Sequence, residues 1–321
     1  MATEHQSADD GADQGNQLPL GPSIAAAAVS AAVLLPVLWL LRVGFGVGAD
    51  PAVALLTRPT TLEVFVNSAL LVAGVTGASI VLGVPLAYLT VRTELPFARF
   101  WTVAVSLPLV IPSYIGAFAF VSAFGPRGAF QRLLAPLGVE SLPEIYGFHG
   151  AVLVLTLYTY PYVYITTRAS LLSFDGTVVE AARTLNHSRW EAFKRVTFPQ
   201  IAPGIAAGAL LVALYALSDF GTPAIMRYDV FTRMIFNEEQ ARNLDAAAVL
   251  SLLLLVMAMA ILAVESRINA SRDGAYVSSG DRRPGEIKLG YWKLPAMGFC
   301  ALIAALCLAL PVGILAQWLL R

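Results

Sequence analysis

Seven long apolar blocks, near residues 23–44, 64–90, 101–124, 148–170, 204–226, 246–265 and 296–319, constrain this chain more than anything else in its sequence. An apolar stretch of about 18 residues or more is long enough to cross the hydrocarbon of a bilayer as a helix. There a helix satisfies its own backbone N–H and C=O groups, which have no water to turn to. The composition agrees: 57% of residues are hydrophobic and 13% charged, with a mean hydropathy of +0.70. A soluble domain carries roughly 25% charged residues. The expected fold is all-α, a polytopic membrane helical bundle of six spans with a seventh following. Interior prolines at Pro36, Pro85, Pro108, Pro112, Pro161 and Pro311 are tolerated in such a bundle, where neighbours satisfy the freed carbonyls. Small residues along the second block (Gly74, Gly77, Ala78, Gly83) let helices approach closely.

The formal net charge is zero, which argues against a nucleic-acid partner. Cys300 and Cys307 share one apolar block and make neither a disulfide framework nor a metal spacing. With the N-terminus inside, the inner loops hold 13 Lys and Arg and the outer side holds 8. That bias favours a cytoplasmic N-terminus and a multi-pass protein of the cell membrane. Residues 1–21 carry Glu4, Asp9, Asp10 and Asp13 but no Lys or Arg, so they read as a disordered cytoplasmic tail and not as a signal peptide. Residues 22–266 form the expected six-span bundle, with an inner loop at 173–203. Residues 267–292 read as a polar cytoplasmic linker. Residues 293–321 echo the first span: Leu310-Pro311-Val312 matches Leu35-Pro36-Val37, with Leu294-Pro295 upstream as Leu18-Pro19 is. The expectation is the first span of a second, truncated bundle.

The 173–203 loop is the most structured of the polar segments. Thr177 and Glu180 have the spacing of a capping box, as do Ser188 and Glu191. Each pair satisfies exposed N–H groups at a helix start. The first helix presents Ala181 and Ala182, a small-residue face, and Asn186 tolerates the left-handed turn that stops it. The second runs from about Arg189 to Phe198, with Trp190, Phe193 and Val196 on one stripe, ended by Pro199. Pattern alone leaves two readings open: an amphipathic hairpin lying on the bilayer, or a docking element.

The segment resembles the EAA loop of ABC importer permeases. Glu180-Ala181-Ala182, Phe193, Val196, Pro199 and Pro203 fall at the motif's positions, while Asn186 replaces the usual glycine and Phe198 the usual Leu. The resemblance implies that Glu180, Ala181, Ala182, Leu185, Asn186, Trp190 and Phe193 dock on a cytoplasmic ATP-binding subunit, present as a dimer. The chain has no G-x-x-x-x-G-K-[ST] phosphate loop, so ATP and Mg are expected to be used by that partner. No cofactor and no catalytic or metal residue is expected in this chain, which would be a transport subunit and not an enzyme. A second implied partner is an extracytoplasmic substrate-binding protein.

Leu107–Tyr114, Tyr160-Pro161-Tyr162, Ser218-Asp219-Phe220-Gly221 and Arg227-Tyr228 resemble ferric-iron-type permeases, which fuse two such bundles. That resemblance implies Fe(III) as cargo, with thiamine, polyamine or phosphonate as alternatives. Tyr158, Tyr160, Tyr162 and Tyr164 offer phenolic oxygens, which suit Fe(III), but equally offer ordinary aromatic packing. Asp219, an ionisable residue at membrane depth, is a candidate for gating or receptor contact; alternatively it caps a helix broken at Gly221 and Pro223. Arg227 would pair with it or meet a receptor. A secondary transporter or channel would need paired charges within the spans, and a membrane enzyme a cluster of catalytic groups. Neither pattern is found, and His5, His149 and His187 are scattered.

Overall fold

A computed structural model describes residues 20–126, 128–138, 141–173, 198–270 and 287–320. Helices stand where the apolar blocks stand. α1 (Leu20–Gly46) leads through the short α2 (Ala49–Leu56) into α3 (Pro59–Arg92). α4 (Ala98–Ser106), α5 (Ser113–Phe124) and α6 (Ala129–Leu134) follow, then α7 (Phe148–Leu172). After the 173–203 loop come α8 (Phe198–Ser218), α9 (Gly221–Ile225), α10 (Phe231–Gln240) and α11 (Leu244–Ala270). The last block is α12 (Lys293–Ala304), a π turn over Ala305–Ala309, and α13 (Leu310–Leu319). Among the described residues, five helices are long and apolar enough to cross a membrane, or six if Ala98–Val110 and Ser113–Leu137 form one span bent by 96°. α7, with 25 residues, has the length. Its tyrosines and threonines keep it outside that set.

The reason is its position. α3, α7 and α8 pack on one another at the centre, and α7 is buried along most of its length. Its polar groups therefore meet protein, not lipid. Tyr160 donates to the Val105 carbonyl of α4 at 2.7 Å, beside the point where α4 tightens into the 3₁₀ turn Leu107–Val110. Tyr158 donates to the Cys307 carbonyl in the π turn at 3.4 Å, and the Cys307 thiol donates back to the Leu157 carbonyl at 3.3 Å. Tyr164 shares a hydrogen bond with Thr90 at 3.2 Å, and Ser79 shares one with Thr159 at 3.3 Å. The tyrosines are thus packing and bridging residues of the bundle core. The hydroxyls of Tyr158, Tyr160 and Tyr164 are engaged with other elements, and the Tyr162 ring lies 6.2 Å from that of Tyr215 in α8.

Close approach comes from glycine. A Cβ on Gly83 would lie 2.9 Å from the Tyr164 backbone nitrogen and 3.1 Å from the Tyr160 carbonyl oxygen. On the other side, a Cβ on Gly204 would lie 2.9 Å from the Thr166 carbonyl oxygen. Outside this centre, α1 and α10 pack on α11, while α12 and α13 pack on α4 and α5 respectively. The seventh block is therefore docked on the preceding helices.

Two sequence expectations shift. The fifth block is not one helix to residue 226: α8 stops at Ser218 and α9 restarts at Gly221. Pro199 does not end a helix, since the residues on both sides of it belong to α8; the helix expected from Arg189 lies, up to residue 197, outside the described residues. The docking and capping residues Thr177, Glu180, Ala181, Ala182, Leu185, Asn186, Ser188, Trp190, Glu191 and Phe193 lie outside the described residues, as do the N-terminal tail and most of the linker.

Gly83→Ala should lower the free energy of unfolding in detergent by about 1–3 kcal/mol, since the α3 and α7 backbones must separate. Gly77→Ala is the control: a Cβ there meets nothing within 4 Å, and denaturant titration should show no loss.

Candidate functional site: the junction of two broken spans

Two spans break at the same place in the bundle, and one carboxylate joins the breaks. The first break follows from Pro108 and Pro112. Pro112 is extended (φ −57°, ψ 133°) and α5 restarts at Ser113. The second is at Asp219, where the last turn of α8 closes with the Asp219 N–H donating to the Tyr215 carbonyl at 2.9 Å. One Asp219 oxygen, Oδ2, accepts the Thr222 backbone N–H at 2.9 Å and so caps α9. The other, Oδ1, accepts the Ser113 hydroxyl at 2.8 Å. The Tyr215 hydroxyl donates to Ser113 Oγ at 3.2 Å, and Thr232 of α10 donates to the Asp219 carbonyl at 2.9 Å. Asp219 is half-buried and Ser113 buried. Gly221 lets α9 lie against α5, since a Cβ there would be 2.7 Å from Tyr114 Cβ.

Asp219 does cap the restarted helix, and its bond to Ser113 is a link the sequence does not reveal. Sequence alone does not mark Ser113, Tyr215 and Thr232 as site residues. The one signal it holds is the Pro112-Ser113 pair, a helix start followed by a hydroxyl. Arg227 does not pair with Asp219. Its backbone is left-handed (φ 55°), and its guanidinium lies over the Tyr146 ring, 4.4 Å from the centroid. Around it the segments on either side of α9 are tied down. Gly147 N–H donates to the Met226 carbonyl at 2.6 Å, Tyr228 OH to the Asn67 carbonyl at 3.3 Å, and Phe231 N–H to Ser68 Oγ at 3.0 Å. Asp229 and Arg233 form an ion pair at 2.9 Å.

Among the described residues, no group of three or more His, Cys, Asp or Glu could hold a metal ion. At the opposite end of α8, Gly204 lies against Thr166 and Ser170 of α7. The helices that carry the two ends of the 173–203 loop are therefore packed side by side.

The family described as binding-protein-dependent transport system inner membrane component matches residues 79–271. The Fe(3+)-transport system permease protein FbpB 2 of Haemophilus influenzae is 30% identical over 289 residues, covering 89% of this chain and 54% of that protein. The molybdenum transport system permease protein ModB of Mycobacterium bovis is 30% identical over 227 residues, covering 68% of this chain and 84% of that protein. This chain therefore spans about half the length of the ferric relative and most of the molybdenum one. Among solved structures, a bacterial alginate ABC transporter in complex with its periplasmic protein matches with a TM-score of 0.62 at 18% identity, over 79% of this chain and 95% of that one. The MetNI methionine ABC transporter matches with a TM-score of 0.52, also at 18% identity, over 70% of this chain and 99% of that one. At that identity these two speak for the fold alone. The chain belongs to the family of binding-protein-dependent transport system inner membrane components.

Proposed function

We propose that this chain is the membrane permease of an ATP-driven importer that takes Fe(III) from an extracytoplasmic binding protein. The observation that carries the cargo is the 30% identity to a ferric permease over 89% of the chain. The molybdenum permease, similar over a shorter stretch, and a chloroplast sulfate permease of Chlamydomonas reinhardtii, 26% identical over 251 residues, favour a second reading in which the cargo is an oxyanion. Uptake of radiolabelled iron, molybdate and sulfate by cells expressing the whole system separates the two. Iron uptake that is competed by neither oxyanion supports the first.

In this reading a separate ATPase dimer binds ATP and Mg and closes on hydrolysable nucleotide. The 173–203 loop, with Glu180, Ala181 and Ala182 as its docking face, moves with it. The N-terminus lies in the cytoplasm. The loop's motion is received by the end of α7 and the start of α8, which lie against each other. α8 has 21 residues, about 30 Å of helix at 1.5 Å per residue. It delivers the displacement to the Asp219 junction at its far end. There the carboxylate ties α8 and α9 to the break before α5, so the two broken spans shift as one. The Arg227–Tyr146 platform is the surface offered to the binding protein.

Glu180→Lys, or a bulky residue at Ala182, should cut uptake by about tenfold or more, the equivalent of ~1.4 kcal/mol of docking energy. Membrane insertion, read by immunoblot of washed membranes, should be unchanged. Asp219→Ala leaves the Ser113 hydroxyl and the Thr222 N–H without their acceptor and should cost about 1–3 kcal/mol of stability. A double-mutant cycle with Ser113→Ala should show a coupling of about 0.5–3 kcal/mol. Additive effects would mean that the junction is not a mechanical unit.

A further inference from the structure

Between α4 and the α12–α13 block lies an open, shallow apolar groove of about 460 Å³. Phe100 and Trp101 form one wall; Ala301, Ala305 and Ala309 form the floor, and Val312 closes one end. The three alanines are exposed and recur every four residues. The floor includes the π turn Ala305–Ala309, a distortion that recurs at functional sites.

The residues that lead into α4 and α12, the helices lining the groove, point to its occupant. Arg99, next to Phe100, and Lys288 are exposed. Lys293 starts α12 and pairs loosely with Glu94 at 3.7 Å. Among the described residues there, Arg99, Lys288 and Lys293 outnumber Glu94. Tyr291 (100% exposed) and Trp292 (71% exposed) stand beside them, the aromatic signature of a membrane–water interface. From Lys293 to Ala301 is about 12 Å along the helix, which places the basic rim at headgroup depth and the alanine floor among the acyl chains. We infer that the groove is a binding site for an anionic phospholipid, one acyl chain lying on Ala301, Ala305 and Ala309 and the headgroup held by Arg99 and Lys293. Basic clusters at the ends of membrane helices attract anionic headgroups. The groove adds what a bare cluster lacks, an apolar surface beside the charge. The inference does not depend on what is transported.

The test uses Trp101 as its own reporter. In the full chain, Trp39, Trp190, Trp292 and Trp318 are replaced by Phe and the protein is placed in nanodiscs. Dibrominated phosphatidylglycerol or dibrominated phosphatidylcholine is added at equal mole fraction. Trp101 should be quenched about fivefold more effectively by the anionic lipid, the preference one basic contact supports. Arg99→Gln with Lys293→Gln should abolish the preference. Ala305→Leu, which fills the groove, should reduce quenching by both lipids. Equal quenching by the two lipids, protection from both (as a protein helix seated in the groove would produce), or a preference that survives the substitutions would overturn the assignment. Native mass spectrometry of the unaltered chain and of Ala305→Leu, counting retained phosphatidylglycerol, tests the same groove without the tryptophan changes. Lower retention by Ala305→Leu is expected; equal retention by the two proteins counts against the site.

Discussion

In hydrocarbon, a backbone carbonyl that loses its helical partner has no water to replace it, and the rest of this structure depends on how that loss is made good. Breaks in the spans are met by side chains, two of them from distant helices and one, Asp219, local to its break but tied to Ser113 of α5. The end of α4 gives its Val105 carbonyl to Tyr160. The π turn gives the Cys307 carbonyl to Tyr158. The restart of α9 gives the Thr222 N–H to Asp219. Because the donors and acceptors sit on different helices, satisfying the backbone also fixes how those helices lie relative to one another. Irregularity and tertiary contact are therefore the same interactions in this bundle.

That coupling explains which parts of the molecule are legible from sequence. Helix positions are, since each follows from an apolar run long enough to be one. The turn at Asp219 is half legible, since Gly221 and Pro223 announce a break and a carboxylate suits a cap. Its second bond is not, because Ser113 is 106 residues away and no local pattern connects them. The tyrosine spacing of four residues shows which side chains share a face of α7. It says nothing about the carbonyls they meet on α4 and the π turn. Pro199 misleads for a related reason: a proline commonly ends a helix, yet here the residues on both sides of it belong to α8. The Arg227–Asp219 pairing fails because charge complementarity is the only argument for it, and the Tyr146 face lies nearer to hand.

The two functional elements differ in kind. The 173–203 loop is a local motif, recognisable because its capping pairs and small residues occur within one short stretch. The Asp219 junction is assembled from α5, α8, α9 and α10, and no single segment announces it. Under the proposed function the first receives the drive and the second is what the drive acts upon, with the 21 residues of α8 between them.

The composition of α7 has a consequence for the order in which the protein is made. Its tyrosines and threonines lower what it gains by leaving water, so it partitions into the bilayer less readily than its neighbours. α3, which covers one of its sides, is synthesised before it. α8, which covers the other, is synthesised after it, beyond the intervening loop. For the interval between them, the central helix of the finished bundle is the segment least committed to the membrane. Its settled position is a product of assembly, reached when the later helix arrives to cover the polar face.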